Sequence, residues 1–326
     1  MASEYHIPNP PPGTTLQCKT HYSVYGTLPN NDNTNSNQDS KTPLVCIHGG
    51  PGATSIYMRP FSLLNTDYGF PIIIYDQLGC GQSTRLRDKR GDASFWTLDL
   101  FVAELRNLLE GLGIETVDLL GHSWGACIAV RFAVQLRDPN KYQCQQHGST
   151  QVRLRKLIVA QSTAKLSDRT PFFEKQMEAL PSPHGEAAKL AHETGAKDMP
   201  AYKAALKVYS HHHMCRLSPW PSEFTECIAA MNDDDTVASA FDGEEDSFDI
   251  LPDIKKLSGE VVPGGLLIFN GKYDQSVDEV VRPFYELSPL PEGRKEWVRF
   301  GLSSHMAVLE ETEEVVRVVG DFEMRE

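Results

Sequence analysis

Short runs rich in apolar residues punctuate this chain at residues 43–47, 71–75, 117–120 and 155–160, each too short for a buried helix. Between them, residues 95–112 and 124–136 carry apolar side chains at helical spacing. Strand alternating with helix predicts a mostly parallel sheet with helices on both faces, because a crossover helix must pack back onto the sheet it leaves. From about residue 164 to 249 the strand signal vanishes. Helical stretches at 171–180, 186–193, 201–214 and 222–231 take its place, and this block reads as an inserted helical cap. The sheet resumes at 265–270 and 296–300, and a helix over 310–322 closes the chain. The predicted organisation is therefore an α/β core in two parts, residues 1–163 and 251–326, interrupted by a cap at 164–250. Residues 1–15 are proline-rich and extended, 28–41 form a polar loop between early antiparallel strands, and 139–152 form a polar surface insertion.

The run at 117–120 ends in Gly121-His122-Ser123-Trp124-Gly125, a G-x-S-x-G turn with the apolar helix directly after it. A strand that reverses abruptly into a helix needs glycines two residues either side of the serine, and the serine hydroxyl then stands clear on the elbow. Ser123 is the candidate nucleophile. The N–H groups that open the following helix point toward the same place and favour developing negative charge. Such a serine needs a base and an acid that orients it, in the chain order serine, acid, histidine. Asp274 lies in the loop after the 265–270 strand and His305 in the polar loop after the 296–300 strand, so they are the candidate acid and base. Asp168, one strand earlier, is the rival acid. Asp76 precedes the serine and reads as an anchor for a turn. The glycine loop His48-Gly49-Gly50-Pro51-Gly52 follows the first core strand. It offers the Gly50 N–H as one oxyanion donor, with the Trp124 N–H as the other. That loop lacks the lysine and hydroxyl ending of a phosphate-cradling loop, so a nucleotide cofactor is disfavoured.

Three strings together, His48-Gly49-Gly50-Pro51-Gly52, Tyr75-Asp76-Gln77-Leu78-Gly79-Cys80-Gly81-Gln82-Ser83 and Gly121-His122-Ser123-Trp124-Gly125, resemble the core signatures of the proline iminopeptidase family of α/β-hydrolases. This family includes prolyl aminopeptidases, tricorn-interacting aminopeptidases and amino-acid amidases. The segment from Tyr209 to Arg216 with Pro219-Trp220-Pro221 is similar to a cap helix of the tricorn-interacting type. The resemblance implies an α/β-hydrolase fold, a Ser123–Asp274–His305 triad, no cofactor, and a serine hydrolase that releases an N-terminal residue of proline type from small peptides or amino-acid amides. Family peptidases hold the substrate's ammonium group with cap glutamates, one of them in a G-P-x-E-F segment. Here residues 240–250 are shorter and lack that motif, and Glu244 or Glu245 is the substitute candidate. The plainer reading of that acidic run is a solvated loop. Trp220 is either cap core or substrate wall.

The net charge of −13 excludes nucleic acid and anionic membrane as expected partners, since both demand clustered Lys and Arg. A small-molecule or short-peptide substrate remains. Seven cysteines without paired metal-ligand spacing, and no leading apolar segment, point to a reduced cytoplasmic setting. The consecutive His211, His212 and His213 face about 100° apart on a helix and so do not form one metal site. Two other classes stay open: a hydrolase for a different ester or amide, or a cyclisation, in specialised metabolism, and a hydrolase-fold receptor that binds ligand without turnover.

Overall fold

Alternate residues of each core strand feed opposite faces of one sheet. In β3 (Leu44–Ile47), Val45 and Ile47 join the apolar cluster on one side while Leu44 and Cys46 join the cluster on the other. Strands this fully apolar are stable only when helices cover both faces. The computed structural model describes residues 3–8, 10–11, 16–29, 41–138, 152–241 and 248–325. Two strands, β1 (Ser3–Pro8) and β2 (Lys19–Tyr25), precede β3; α1 (Leu63–Tyr68), β4 (Ile72–Tyr75), α2 (Leu98–Gly111), β5 (Thr116–His122), α3 (Trp124–Gln135) and β6 (Arg153–Ala160) follow it. The helical insertion contains α4 (Leu166–Glu178), α5 (His184–Thr194), α6 (Pro200–Tyr209) and α7 (Ser222–Asp233). Then come α8 (Leu251–Ile254), β7 (Leu266–Gly271), α9 (Asp278–Glu286), β8 (Lys295–Phe300), α10 (Ala307–Glu310) and α11 (Thr312–Met324).

The sheet has eight strands in the order β1-β2-β4-β3-β5-β6-β7-β8. The pairs β1–β2 and β2–β4 are antiparallel and all others parallel. Parallel strands put all their C-terminal ends on one edge, which is where ligands meet such sheets. Helices α2, α3 and α9 pack on one face and α11 on the other. The insertion is tied to both clusters, through Phe224 and Cys227 on one side and Val237 and Phe241 on the other, and has a small core of its own around Met177, Ala188, Tyr202 and Tyr209.

Element types follow the sequence pattern, and the boundaries differ for local reasons. The helix expected over 95–112 starts at Leu98, because the Thr97 side chain accepts the Leu100 N–H and caps it. Pro171 is not the first residue of its helix: α4 begins at Leu166 and contains it. Burial of Met177, with Phe173 packed on the insertion's own core and Phe172 on the sheet-face cluster that holds α2 and α3, outweighs the local preference. The helix expected over 201–214 is α-helical only to Tyr209 and ends in a π turn, Ser210–Met214. The closing helix is divided at Glu311, whose φ of −131° and ψ of 49° leave the helical region. The extended N-terminal segment supplies β1. Residues 30–40 and 139–151, expected as a loop and a surface insertion, lie outside the described residues.

Candidate active site

Four loops meet at the C-terminal edge of the sheet, after β3, β5, β7 and β8. The β5–α3 turn holds Ser123 at φ 53° and ψ −122°, a left-handed conformation for a residue with a side chain. Such a geometry costs about 1–3 kcal/mol and persists only where the surroundings enforce it. They do so by contact. A Cβ on Gly125 would meet the Ile47 carbonyl oxygen at 2.2 Å, and one on Gly121 would meet the Ala126 Cα at 2.4 Å. Ser123 is half-buried whereas His122 and Trp124 are buried, so of these three only the serine reaches solvent.

His305 is buried, and its Nδ1 lies 2.7 Å from Asp274 Oδ1. The Asp274 carboxylate also accepts the Ser276 N–H at 2.8 Å. Its orientation is therefore set by the loop that carries it. Asp168, the rival acid, is exposed in the first turn of α4. The glycine loop lies against the elbow: a Cβ on Gly49 would fall 3.0 Å from Ser123 Cβ. Gly49 N–H is committed to Tyr57 Oη at 2.6 Å, which leaves Gly50 as the next glycine amide in the loop. Asp76 accepts the N–H groups of Ser55 and Gln82 and sits 3.3 Å from His21, so it holds two turns together. Burial pushes its carboxyl up, but the hydrogen bonds from His21, Gln82 and Ser55 and the nearby His48 outweigh that and draw it down to about 2.

The Trp124 side chain is almost wholly enclosed. It is buried against Phe101, Phe241 and Phe248, and its Nε1 donates to Gln77 Oε1 at 3.1 Å. Gln77 in turn donates to the His48 carbonyl at 2.7 Å, so the glycine loop and the elbow share one buried strut. Trp220 stacks on His211 with ring centroids 4.5 Å apart and packs edge-on against Phe224, within the insertion. Glu244 and Glu245 lie outside the described residues.

The alpha/beta hydrolase fold pattern matches residues 42–144. Over 86% of this chain, the proline iminopeptidase of Heyndrickxia coagulans is 29% identical, with 90% of that protein covered. The proline iminopeptidase of Saccharolobus solfataricus is 29% identical over 87% of this chain and 85% of its own length. Among solved structures, VinJ superposes with a TM-score of 0.79 at 28% identity, covering 98% of both chains. The proline iminopeptidase of Mycobacterium smegmatis superposes with a TM-score of 0.78 at 26% identity, covering 98% of this chain and 97% of that one. The chain has the α/β-hydrolase fold and is similar to proline iminopeptidases over most of its length. No helix among its described residues is long and apolar enough to cross a membrane.

In this α/β-hydrolase fold several side chains that organise the site stand at positions that the G-x-S-x-G turn leaves unspecified or outside the motifs altogether. His122 donates from Nε2 to the His305 carbonyl at 2.9 Å, and its Nδ1 lies 2.8 Å from Tyr57 Oη. A carbonyl only accepts, so Nε2 carries the hydrogen and Nδ1 accepts from Tyr57. Burial, and next the neighbouring His305, push the His122 imidazole down to about 3, which keeps it neutral in this role. On the base loop, Glu310 accepts the Ser304 N–H at 2.8 Å and the Arg216 N–H at 2.7 Å. Tyr57 lies in a 3₁₀ turn with no periodic pattern, and no sequence rule pairs it with a residue 65 positions away.

Proposed function

We propose that this chain is a serine hydrolase that forms an acyl-enzyme on Ser123 and cleaves an amide bond at the N-terminal residue of a small peptide or amino-acid amide, with proline the favoured residue. The observation that carries the reading is the buried His305–Asp274 pair at 2.7 Å, wired to the elbow through His122. In the reaction His305 takes the Ser123 proton as the serine oxygen attacks the carbonyl carbon. Asp274 holds Nδ1–H of the ring and stabilises the imidazolium. The N–H groups of Gly50 and Trp124 receive the oxyanion, the second reinforced by the α3 N-terminus. His305 then gives its proton to the leaving amine and activates water for deacylation.

The preference for proline rests on the resemblance of the three core strings and on the named relatives. A panel of prolyl and other aminoacyl amides, their N-acetyl analogues and simple aryl esters, run with wild type and Ser123→Ala in parallel, tests it. Turnover of free prolyl amides that Ser123→Ala lacks is the expected result. Equal turnover of free and N-acetylated amides would remove the aminopeptidase reading and leave a hydrolase of another acyl class. No turnover of any substrate, with Ser123 unreactive toward a fluorophosphonate, would remove the serine mechanism.

A further inference from the structure

The two loops that carry Asp274 and His305 are held from outside the α/β core. The turn that does so is the π turn after α6, at residues 210–214, closed by the Cys215 N–H donating to the Ser210 carbonyl at 3.0 Å. A π turn is wider than an α turn, and such turns are frequent at functional sites. Here the carbonyl of His213 accepts two amides, the Gln275 N–H and the His305 N–H, each at 3.2 Å. One belongs to the residue after Asp274 and the other to the histidine itself. The side chain of the same residue makes a third tie: His213 Nδ1 donates to the Tyr273 carbonyl at 2.8 Å, on the other side of Asp274. Both neighbours of the carboxylate and the backbone of its partner histidine are thus fastened to one residue of the insertion.

Adjacent contacts repeat the pattern. The Arg216 guanidinium lies 3.7 Å over the Tyr273 ring, and the Arg216 N–H reaches Glu310, which also holds Ser304 next to His305. From α4, Gln176 Nε2 donates to the Asp274 carbonyl at 2.9 Å. A carbonyl partner for Nδ1 requires the Nδ1–H tautomer, which neutral His213 supplies. Burial first, opposed by that hydrogen bond, draws its imidazole below the ordinary value, so it is neutral at pH 7.

We propose that His213 is a positioning residue: through three hydrogen bonds it sets the alignment of Asp274 and His305, so that docking of the helical insertion, and not the core alone, completes the site. This rests on the serine-hydrolase reading. The reason for an effect on rate is geometric, since a base displaced by about 1 Å from its working position can lose on the order of 100-fold in rate.

Three variants separate positioning from mere packing. His213→Asn places an amide N–H close to where Nδ1–H stood. His213→Gln places it where Nε2 stood and cannot reach Tyr273, and His213→Ala removes the donor. Rates of aryl ester hydrolysis and of Ser123 labelling by a fluorophosphonate are measured with thermal stability alongside. The expected result is a kcat lower by about 10- to 100-fold in His213→Gln and His213→Ala, with KM within about 2-fold of wild type and His213→Asn restored to within about 3-fold. Should His213→Ala not fold, the Asn and Gln pair still decides. Equal kcat and labelling for Asn and Gln, or losses confined to KM or stability, overturn the proposal. A wild type that neither labels nor hydrolyses any substrate overturns the serine-hydrolase reading and this inference together, whereas a labelled wild type with indifferent variants overturns this inference alone.

Discussion

His122 Nε2 donates to the backbone carbonyl of His305 at 2.9 Å, across 183 positions of sequence. The bond joins the residue before the elbow serine to the candidate base. It continues through Tyr57 to the Gly49 N–H of the glycine loop. One neutral imidazole therefore fixes the spacing of three loops that no local rule holds together.

Replacing that imidazole tests the wiring. His122→Phe keeps the bulk but removes the acceptor of the buried Tyr57 O–H and the donor to the His305 carbonyl. Each unsatisfied group costs about 1–3 kcal/mol. A chemical denaturation midpoint well below wild type is expected, together with a kcat lower by about 10- to 100-fold. Unchanged stability would show that these bonds do not hold the loops.

Ser123→Ala is expected to lose on the order of 10⁶-fold in kcat while the fold persists, as for a nucleophile in a preformed site. Circular dichroism and substrate binding by calorimetry would remain near wild type. Retention of more than a few per cent of turnover, with contaminating enzyme excluded, would point to another nucleophile.

The acid is tested by Asp274→Asn against Asp168→Asn. Losing the carboxylate that holds the His305 tautomer is expected to lower kcat by about 10⁴-fold. Asp168 is exposed and far from that role, so its variant stays near wild type. The opposite ranking would reassign the acid.

Stability should depend on pH through Glu104. This carboxyl is buried under β2 and the loop after β4, where it accepts from Thr20 Oγ1 and the Leu78 N–H. Burial, with a smaller push from Asp76, raises it to about 7 against those hydrogen bonds. The folded state therefore holds a proton that the unfolded chain has released above its ordinary value of 4.5. The contribution is complete below that value and is lost as pH rises through about 7. Its full size is on the order of 3 kcal/mol, with a slope of at most about 1.4 kcal/mol per pH unit. Denaturation curves at pH 5 and pH 8 are expected to show wild type losing more stability than Glu104→Gln. A parallel decline in both would rule out this source.

What the chain's own pattern determined is the part of the protein governed by neighbours in sequence. A short apolar run such as residues 266–269, bounded by turn-forming residues, suits a strand covered on both faces, and alternation with amphipathic helices then gives a parallel sheet whose strand ends share an edge. Gly121 and Gly125 flank Ser123 at the spacing that only a strand–helix elbow requires, and chain order led to Asp274 and His305, whose side chains hydrogen-bond. Other features were set at a distance. Pro171 sits inside α4 because its neighbours are buried by the rest of the insertion, and β1 exists because β2 is there to pair with it. The His122–His305 bond, the Tyr57 link and the three ties from His213 join residues from 8 to 183 positions apart. A single side chain carries no mark of such a partner, since its donor and acceptor groups are the same in water as in the fold. Only the packing of the insertion onto the sheet edge brings those groups into one dry place, where leaving them unpaired is costly.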